Sequence, residues 1–185
     1  LLFLLALILF SFPVTDLAAD YYYRRVAGIL DDKTTGALDV KPISGSAMPA
    51  YLEAISSLQK AAALAPSRSI YRKALAEIYA RLGIWSETME SLKARLPANA
   101  IPRQEAFESA VKCLEKAVSL EPTNPDYHLS LGQLYDKVRG DTRLADRELK
   151  RAADSYPVSA PLRYVLAMHY LLSESKGNAL EQARV

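Results

Sequence analysis

The side chains able to do chemistry in this chain are few and far apart. His128 and His169 are the only histidines. An imidazole can act as a general base or a metal ligand, but two so distant in sequence exclude a site built from several histidines. Cys113 is the single cysteine, so an internal disulfide framework and a cysteine-rich metal site are excluded as well. It lies one residue before an apolar helix position and reads as a quiet helix thiol. Asp31 and Asp32 could chelate a cation, yet their surroundings read as a solvated turn. No two of the seven glycines stand two residues apart, which removes Gly-x-Gly-x-x-Gly and Walker-type phosphate loops. The spacings Glu148 to Arg151 and Asp146 to Lys150 are those of ordinary helix ion pairs. The residues predict no catalytic centre, no metal site and no cofactor, and hence no enzyme activity in this segment.

Composition points to a folded chain. Of 185 residues, 50% are hydrophobic and 24% charged, which is ample for a core. The net charge of +2 gives no electrostatic case for nucleic acid, and basic residues alternate with acids rather than forming a stripe. The chain begins on leucine and ends on Val185 inside a helical pattern. It is therefore read as a piece of a longer polypeptide.

The elements that must carry these residues start with an apolar run. Residues 1–14, LLFLLALILFSFPV, hold no charge. A bilayer span needs about 20 apolar residues. Three readings compete: a transmembrane helix whose first half lies upstream, a secretory signal core, and a buried helix. The first is favoured, with residues 1–14 in contact with membrane lipid. Tyr21, Tyr22, Tyr23, Arg24 and Arg25 then suit an interfacial belt, and residues 1–30 form a transmembrane and juxtamembrane helix. Residues 31–49 contain Gly36, Pro42, Gly45 and Pro49 and read as a linker.

From residue 50 a repeat emerges. AISSLQKAAALAP (54–66), AVKCLEKAVSLEP (110–122) and ADRELKRAADSYP (145–157) align without gaps. Each has Ala, Leu and Ala at i, i+4 and i+7, one helix face: Ala54, Leu58, Ala61; Ala110, Leu114, Ala117; Ala145, Leu149, Ala152. Pro66, Pro122 and Pro157 stop the three helices. After each proline a second helix carries leucine, a small residue and tyrosine: Leu75, Ala76, Tyr79; Leu131, Gly132, Tyr135; Leu166, Ala167, Tyr170. Gly83 and Gly140 are read as caps closing the first two.

This combination resembles the tetratricopeptide repeat (TPR) family over residues 50–185. The resemblance implies an all-α, TPR-like helical-hairpin solenoid, here preceded by a transmembrane helix. Residues 125–157 follow the family pattern with one extra residue around Arg139. Pro66 and Pro122 are 56 residues apart, where a repeat spans about 34. Trp85 to Leu96 then reads as a separate short helix, and either the superhelix breaks near 97–102 or one helix has been lost. Trp85 is placed in this junction. His128 falls on a large packing position, and His169 in a helix contact or in solvent.

The family's concave groove implies partner-binding positions at Ile70, Lys73, Glu77 and Arg81; Asp126, Leu129, Gln133 and Lys137; and Tyr164, Met168, Leu171 and Leu172. Glu77 and Leu129 depart from the basic and asparagine clamp that one class of relatives uses for a terminal carboxylate. The function implied is a membrane-anchored scaffold that binds other protein subunits or stabilises a membrane-associated complex, with the repeats on the extracytoplasmic, periplasmic side. The alternative is an accessory domain of a polytopic envelope glycan enzyme of the O-antigen ligase or polymerase type. Ala117 and Ala152 are assigned to helix seams. Ala152→Leu should overpack its seam by roughly 1–3 kcal/mol, read as a fall in melting temperature.

Overall fold

A computed structural model describes the backbone of residues 2–30, 47–139 and 141–173, and the side chains of these residues apart from 2–13 and Arg139. Seven α-helices are described: α1 (Leu2–Leu30), α2 (Met48–Leu64), α3 (Ser69–Ser91), α4 (Arg103–Leu120), α5 (Pro125–Leu134), α6 (Thr142–Ser155) and α7 (Ala160–Leu172). A π turn, Tyr135–Arg139, extends α5. Successive helices contact one another, and the closest partnerships are α1 with α2, α3 with α4 and α5 with α6. Each of these pairs is one hairpin, and α7 stacks on α6.

The starts and stops have local causes. Proline sits in the first turn of α2, α5 and α7, where its missing N–H costs nothing. Asn124 caps α5 by accepting from the Asp126 N–H, and Asp141 caps α6 by accepting from the Leu144 N–H at 3.0 Å. The ends of α2, α4 and α6 are alike. Ala65 (φ −131°, ψ 74°), Glu121 (−133°, 78°) and Tyr156 (−142°, 73°) all leave the helical region directly before proline. The proline ring disfavours helix in the preceding residue, so one steric rule stops three helices at one repeat position.

The alanine faces are the seams. Ala54, Ala61, Ala110, Ala117, Ala145 and Ala152 are each exposed by no more than 1%, as are Leu58 and Leu114. The assigned register of Ala117 and Ala152 therefore holds. Gly132 carries the approach furthest. A Cβ built on it would lie 2.7 Å from Cγ of Leu149 and 3.2 Å from the Ala145 carbonyl oxygen.

Four expectations change. Gly83 does not cap a helix: α3 runs on through it to Ser91, and the Phe107 ring of α4 lies against its face. Trp85 to Leu96 is accordingly no separate helix. Trp85 lies within α3, buried in the cluster formed with α1 and α2, against which Leu96, Ala100 and Ile101 pack. No helix is lost, since α3 and α4 pair as a hairpin, and the irregularity expected near 97–102 falls within a non-helical stretch. The long spacing from Pro66 to Pro122 comes instead from a 23-residue α3, an 18-residue α4 and the irregular stretch 92–102 between them.

The fourth change concerns the N-terminal helix. Residues 15–30 do not run free of the body. Ala19 and Val26 of α1 are buried in the cluster with α2 and α3, and Tyr22 and Tyr23 pack against it. Arg25 pairs with Glu53 at 2.5 Å, and Lys60 lies over the Tyr22 ring. Residues 31–46, the bulk of the expected linker, and Gly140 lie outside the described residues, as do Leu1 and the side chains of 2–13. Among the described residues no helix is long and apolar enough to cross a membrane.

Gly132→Ala should lower the melting temperature. The clash with Leu149 costs roughly 1–3 kcal/mol, against a gain in helix propensity of at most about 1 kcal/mol. Gly28→Ala meets nothing within 4 Å and should leave stability unchanged or slightly raised. Equal melting temperatures for the two variants would contradict the close packing of α5 on α6.

Candidate functional site: the face of the first helices

The first helices of the hairpins, α1, α3 and α5, and then α7, are tied in sequence by polar contacts. Arg68, just before α3, reaches Asp16 of α1 at 3.4 Å, and the Tyr71 hydroxyl donates to Asp20 at 2.6 Å. The Tyr23 ring lies 5.5 Å from that of Tyr71. At the start of α3, the Ser69 hydroxyl donates to Glu121 and lies 3.0 Å from the Tyr127 hydroxyl of α5. At its other end, Glu87 meets Lys137 of the π turn at 2.8 Å. Asp136 of the same turn meets Nδ1 of His169 on α7 at 2.7 Å. These contacts set α3 and α5 side by side and fix α7 to the end of α5.

Along α3, Ile70, Lys73, Glu77 and Arg81 share one face by helical spacing. Ile70 is partly exposed, and Lys73 pairs with Glu77 one turn on. Arg81 is 5% exposed, and its Nε has no hydrogen-bond partner. On α5, Asp126 is exposed, whereas Gln133 is half-buried with its Oε1 orphaned. Lys137 lies 5.9 Å from the centre of the Phe107 ring.

Leu129 is a correction. It is buried at 7% in a cluster with Leu149, Ala152, Leu162 and Leu166, because α7 covers it. It cannot offer a free docking surface. Tyr164 (66% exposed), Met168 (37%), Leu171 (52%) and Leu172 (81%) do line an open face of α7. Their i, i+4, i+7, i+8 spacing makes that face continuous.

The two histidines are structural. His128 is buried with Nδ1 2.7 Å from Oε2 of Glu148, and its Nε2 donates to the Pro122 carbonyl at 2.8 Å. Oε1 of Glu148 accepts from Arg147 at 2.9 Å and from Arg151 at 3.3 Å. This buried cluster joins the turn before α5 to α6. His169 is buried at the contact with the π turn, its ring 5.5 Å from Tyr170. Burial pushes the Cys113 thiol up, away from the reactive thiolate. Both ion pairs expected on α6 form, Lys150 with Asp146 at 3.0 Å and Arg151 with Glu148. Among the described residues, no group of three or more His, Cys, Asp or Glu could hold a metal ion. Asp31 and Asp32 lie outside the described residues.

Sequence reasoning missed the part of α1 in this face. The pattern small residue, then tyrosine three residues on, is present at Ala19 and Tyr22. The tyrosine triplet obscures it, and residues 31–46 separate α1 from its partner α2.

Residues 102–138 match the TPR repeat family model. No curated protein sequence matches the chain. Two solved structures resemble it along most of its length. One is TTC0263, a thermophilic TPR protein in Thermus thermophilus. It is 21% identical, with 96% of this chain and 84% of that chain covered at a TM-score of 0.56. The other is MamA, 15% identical, with 91% and 84% covered at a TM-score of 0.52. The family model and these neighbours support the TPR repeat, and the fold is an all-α, TPR-like helical solenoid.

Burial pushes the Tyr71 hydroxyl up to about 12, helped by its hydrogen bond to Asp20. Burial does the same for Tyr170, whose hydroxyl also bonds Asp146. The unfolded chain releases these protons near the ordinary value of 10.0. Between about pH 10 and 12 the unfolded state therefore binds fewer protons, and stability falls as pH rises. The melting temperature should decline over that window. Tyr71→Phe, though less stable at neutral pH, should decline less steeply.

Proposed function

We propose that this chain is a docking scaffold whose groove, formed by α1, α3, α5 and α7, holds a segment of another protein. A solenoid of helical hairpins offers an extended concave surface suited to a peptide or a partner helix. The observation that carries the reading is the open apolar face of α7. Tyr164, Met168, Leu171 and Leu172 stay exposed on a helix whose opposite face, with Leu162 and Leu166, is buried in the core. Contiguous exposed apolar surface marks contact sites, and tyrosine offers a large contact area with few rotatable bonds. The repeat architecture, typical of scaffolds rather than enzymes, agrees with this role.

Two finer parts of the reading rest on the sequence. The charge-free residues 1–14 support an anchor in a membrane, and the family resemblance read in the sequence favours repeats on its extracytoplasmic side. Because residues 15–30 are docked on α2, such an anchor would hold the first hairpin close to the lipid surface with no flexible tether. The glycan-enzyme alternative draws on the order of span and repeats alone.

The test is a pull-down from native membranes with the chain and with its Tyr164→Ala, Met168→Ala double variant. The variant should lose the proteins retained by the unmodified chain while keeping its helicity. Its melting temperature should stay within about 2–4 °C, the shift that about 1 kcal/mol gives a chain of this size. A large fall in melting temperature would make the two residues core. Unchanged retention would place binding elsewhere on the molecule.

A further inference from the structure

The two outermost described helices expose faces that the fold elsewhere puts together. Within the chain, α7 seats on α5. Leu162 and Leu166 of α7, with Val165 packed beside them, share a cluster with Leu129 of α5. Nδ1 of His169 meets Asp136 at the same contact. So α5 offers a receiving face at Leu129 and Asp136, and α7 inserts Leu162, Val165, Leu166 and His169. The register recurs where α3 seats on α1: Tyr71, the counterpart of Leu162, meets Asp20. Each first helix therefore inserts one face into the helix before it and presents another to the helix after it.

At the two ends these faces stand open. Aligning Leu131, Gly132 and Tyr135 with Leu166, Ala167 and Tyr170 carries the receiving positions Leu129 and Asp136 to Tyr164 and Leu171 of α7. Leu129 is covered, whereas Tyr164 and Leu171 are exposed. Aligning Ala19 and Tyr22 with Ala167 and Tyr170 carries the inserting positions to Val14, Leu17, Ala18 and Tyr21 of α1. Val14, Leu17 and Tyr21 are 63%, 74% and 62% exposed. None of these open positions holds a charge. The nearby acids, Asp16 and Asp20, are turned to Arg68 and Tyr71 of α3. A solenoid stays soluble by ending in a repeat with a polar outer face. Here one described end is an apolar inserting face and the other an apolar receiving face.

We propose that the receiving face of α7 takes α1 of a second copy of this chain, in the register in which α5 takes α7. The inference rests on the docking role of the α7 face and names its occupant. Tyr164 packs against Val14 and Ala18, as Leu129 does with Leu162 and Leu166. Leu171 packs against Tyr21, so an apolar contact stands where Asp136 and His169 share a hydrogen bond. Unlike faces meet, which makes the contact heterologous, and a step along a superhelix does not close into a ring. The product is an open head-to-tail row in which each copy extends the stack of first helices begun by the last.

The test is sedimentation velocity of the full chain in dodecyl maltoside over a wide range of concentration. Species larger than a dimer should grow in as concentration rises. Tyr21→Lys and Leu171→Glu should each weaken association roughly tenfold or more, since each puts an unpaired charge into an apolar contact. Carried together in one chain they should restore most of it, because the two new charges then face each other. Both sites are exposed, so helicity and melting temperature should hold in every variant. A large fall in either would show that the chain covers the site itself, and would overturn the proposal. Monomers at every concentration would overturn it too. So would a dimer that Tyr21→Lys leaves intact, the sign of like faces meeting. In each case the docking function stands if the Tyr164→Ala, Met168→Ala variant still loses its retained proteins in the pull-down. If that variant loses none, both readings fall.

Discussion

The structure depends on how closely the paired helices approach. Where α5 meets α6, Gly132 leaves Leu149 no room for even one added carbon. Where α3 meets α4, Gly83 stands in the same relation to the Phe107 ring. The alanine faces of α2, α4 and α6 extend this contact along each hairpin. Interiors pack at crystal-like density, so such seams tolerate little change in volume. Close pairing also makes each hairpin a unit of fixed thickness, and stacking these units brings the first helices alongside one another. The stacking follows from the seams: bulkier residues in them would push the paired helices apart.

Polar groups in this fold divide into two kinds. Those that join one unit to the next are satisfied: Tyr71 with Asp20, Ser69 with Tyr127, His169 with Asp136. The buried His128 and Glu148 belong with them, each holding two or more partners. Satisfied buried polar groups specify one arrangement, because slipping by a residue would strand them. The buried side-chain atoms without a partner among the described residues are Nε of Arg72 and of Arg81, Oε1 of Gln133 and Oδ1 of Asp146.

Much of this architecture is legible in the sequence. The three Ala-Leu-Ala-Pro helices align because steric rules, proline stops and small-residue seams act locally and leave fixed spacings. Leu129 reads as a groove residue because its exposure depends on α7, an element thirty residues further on. Gly83 reads as a cap because a helix-ending glycine and a glycine making room for a ring look alike until the partner, Phe107, is known. The first helix is hidden for a related reason. Its apolar start reads as a lipid signal, while the residues that pack it, among them Ala19, Tyr22 and Val26, are separated from α2 by residues 31–46. Arg81 is read as a groove position, and nothing in its neighbours' identities shows that it is buried with its Nε unpartnered.

The π turn at Tyr135–Arg139 bears on how such a chain changes over time. It coincides with the one residue by which this repeat exceeds its usual length, and π turns are the form a single inserted residue takes inside a helix. The surplus is absorbed as a local bulge, so α6 begins in phase and its alanine face still meets α5. Lys137 and Asp136, two of the residues tying α5 to its neighbours, both lie in that bulge. An insertion that elsewhere would shift the periodicity of every later contact has here become part of the joint. Repeat length is thus a loose ruler for this molecule, and the spacing between seam residues within each helix is the stricter one.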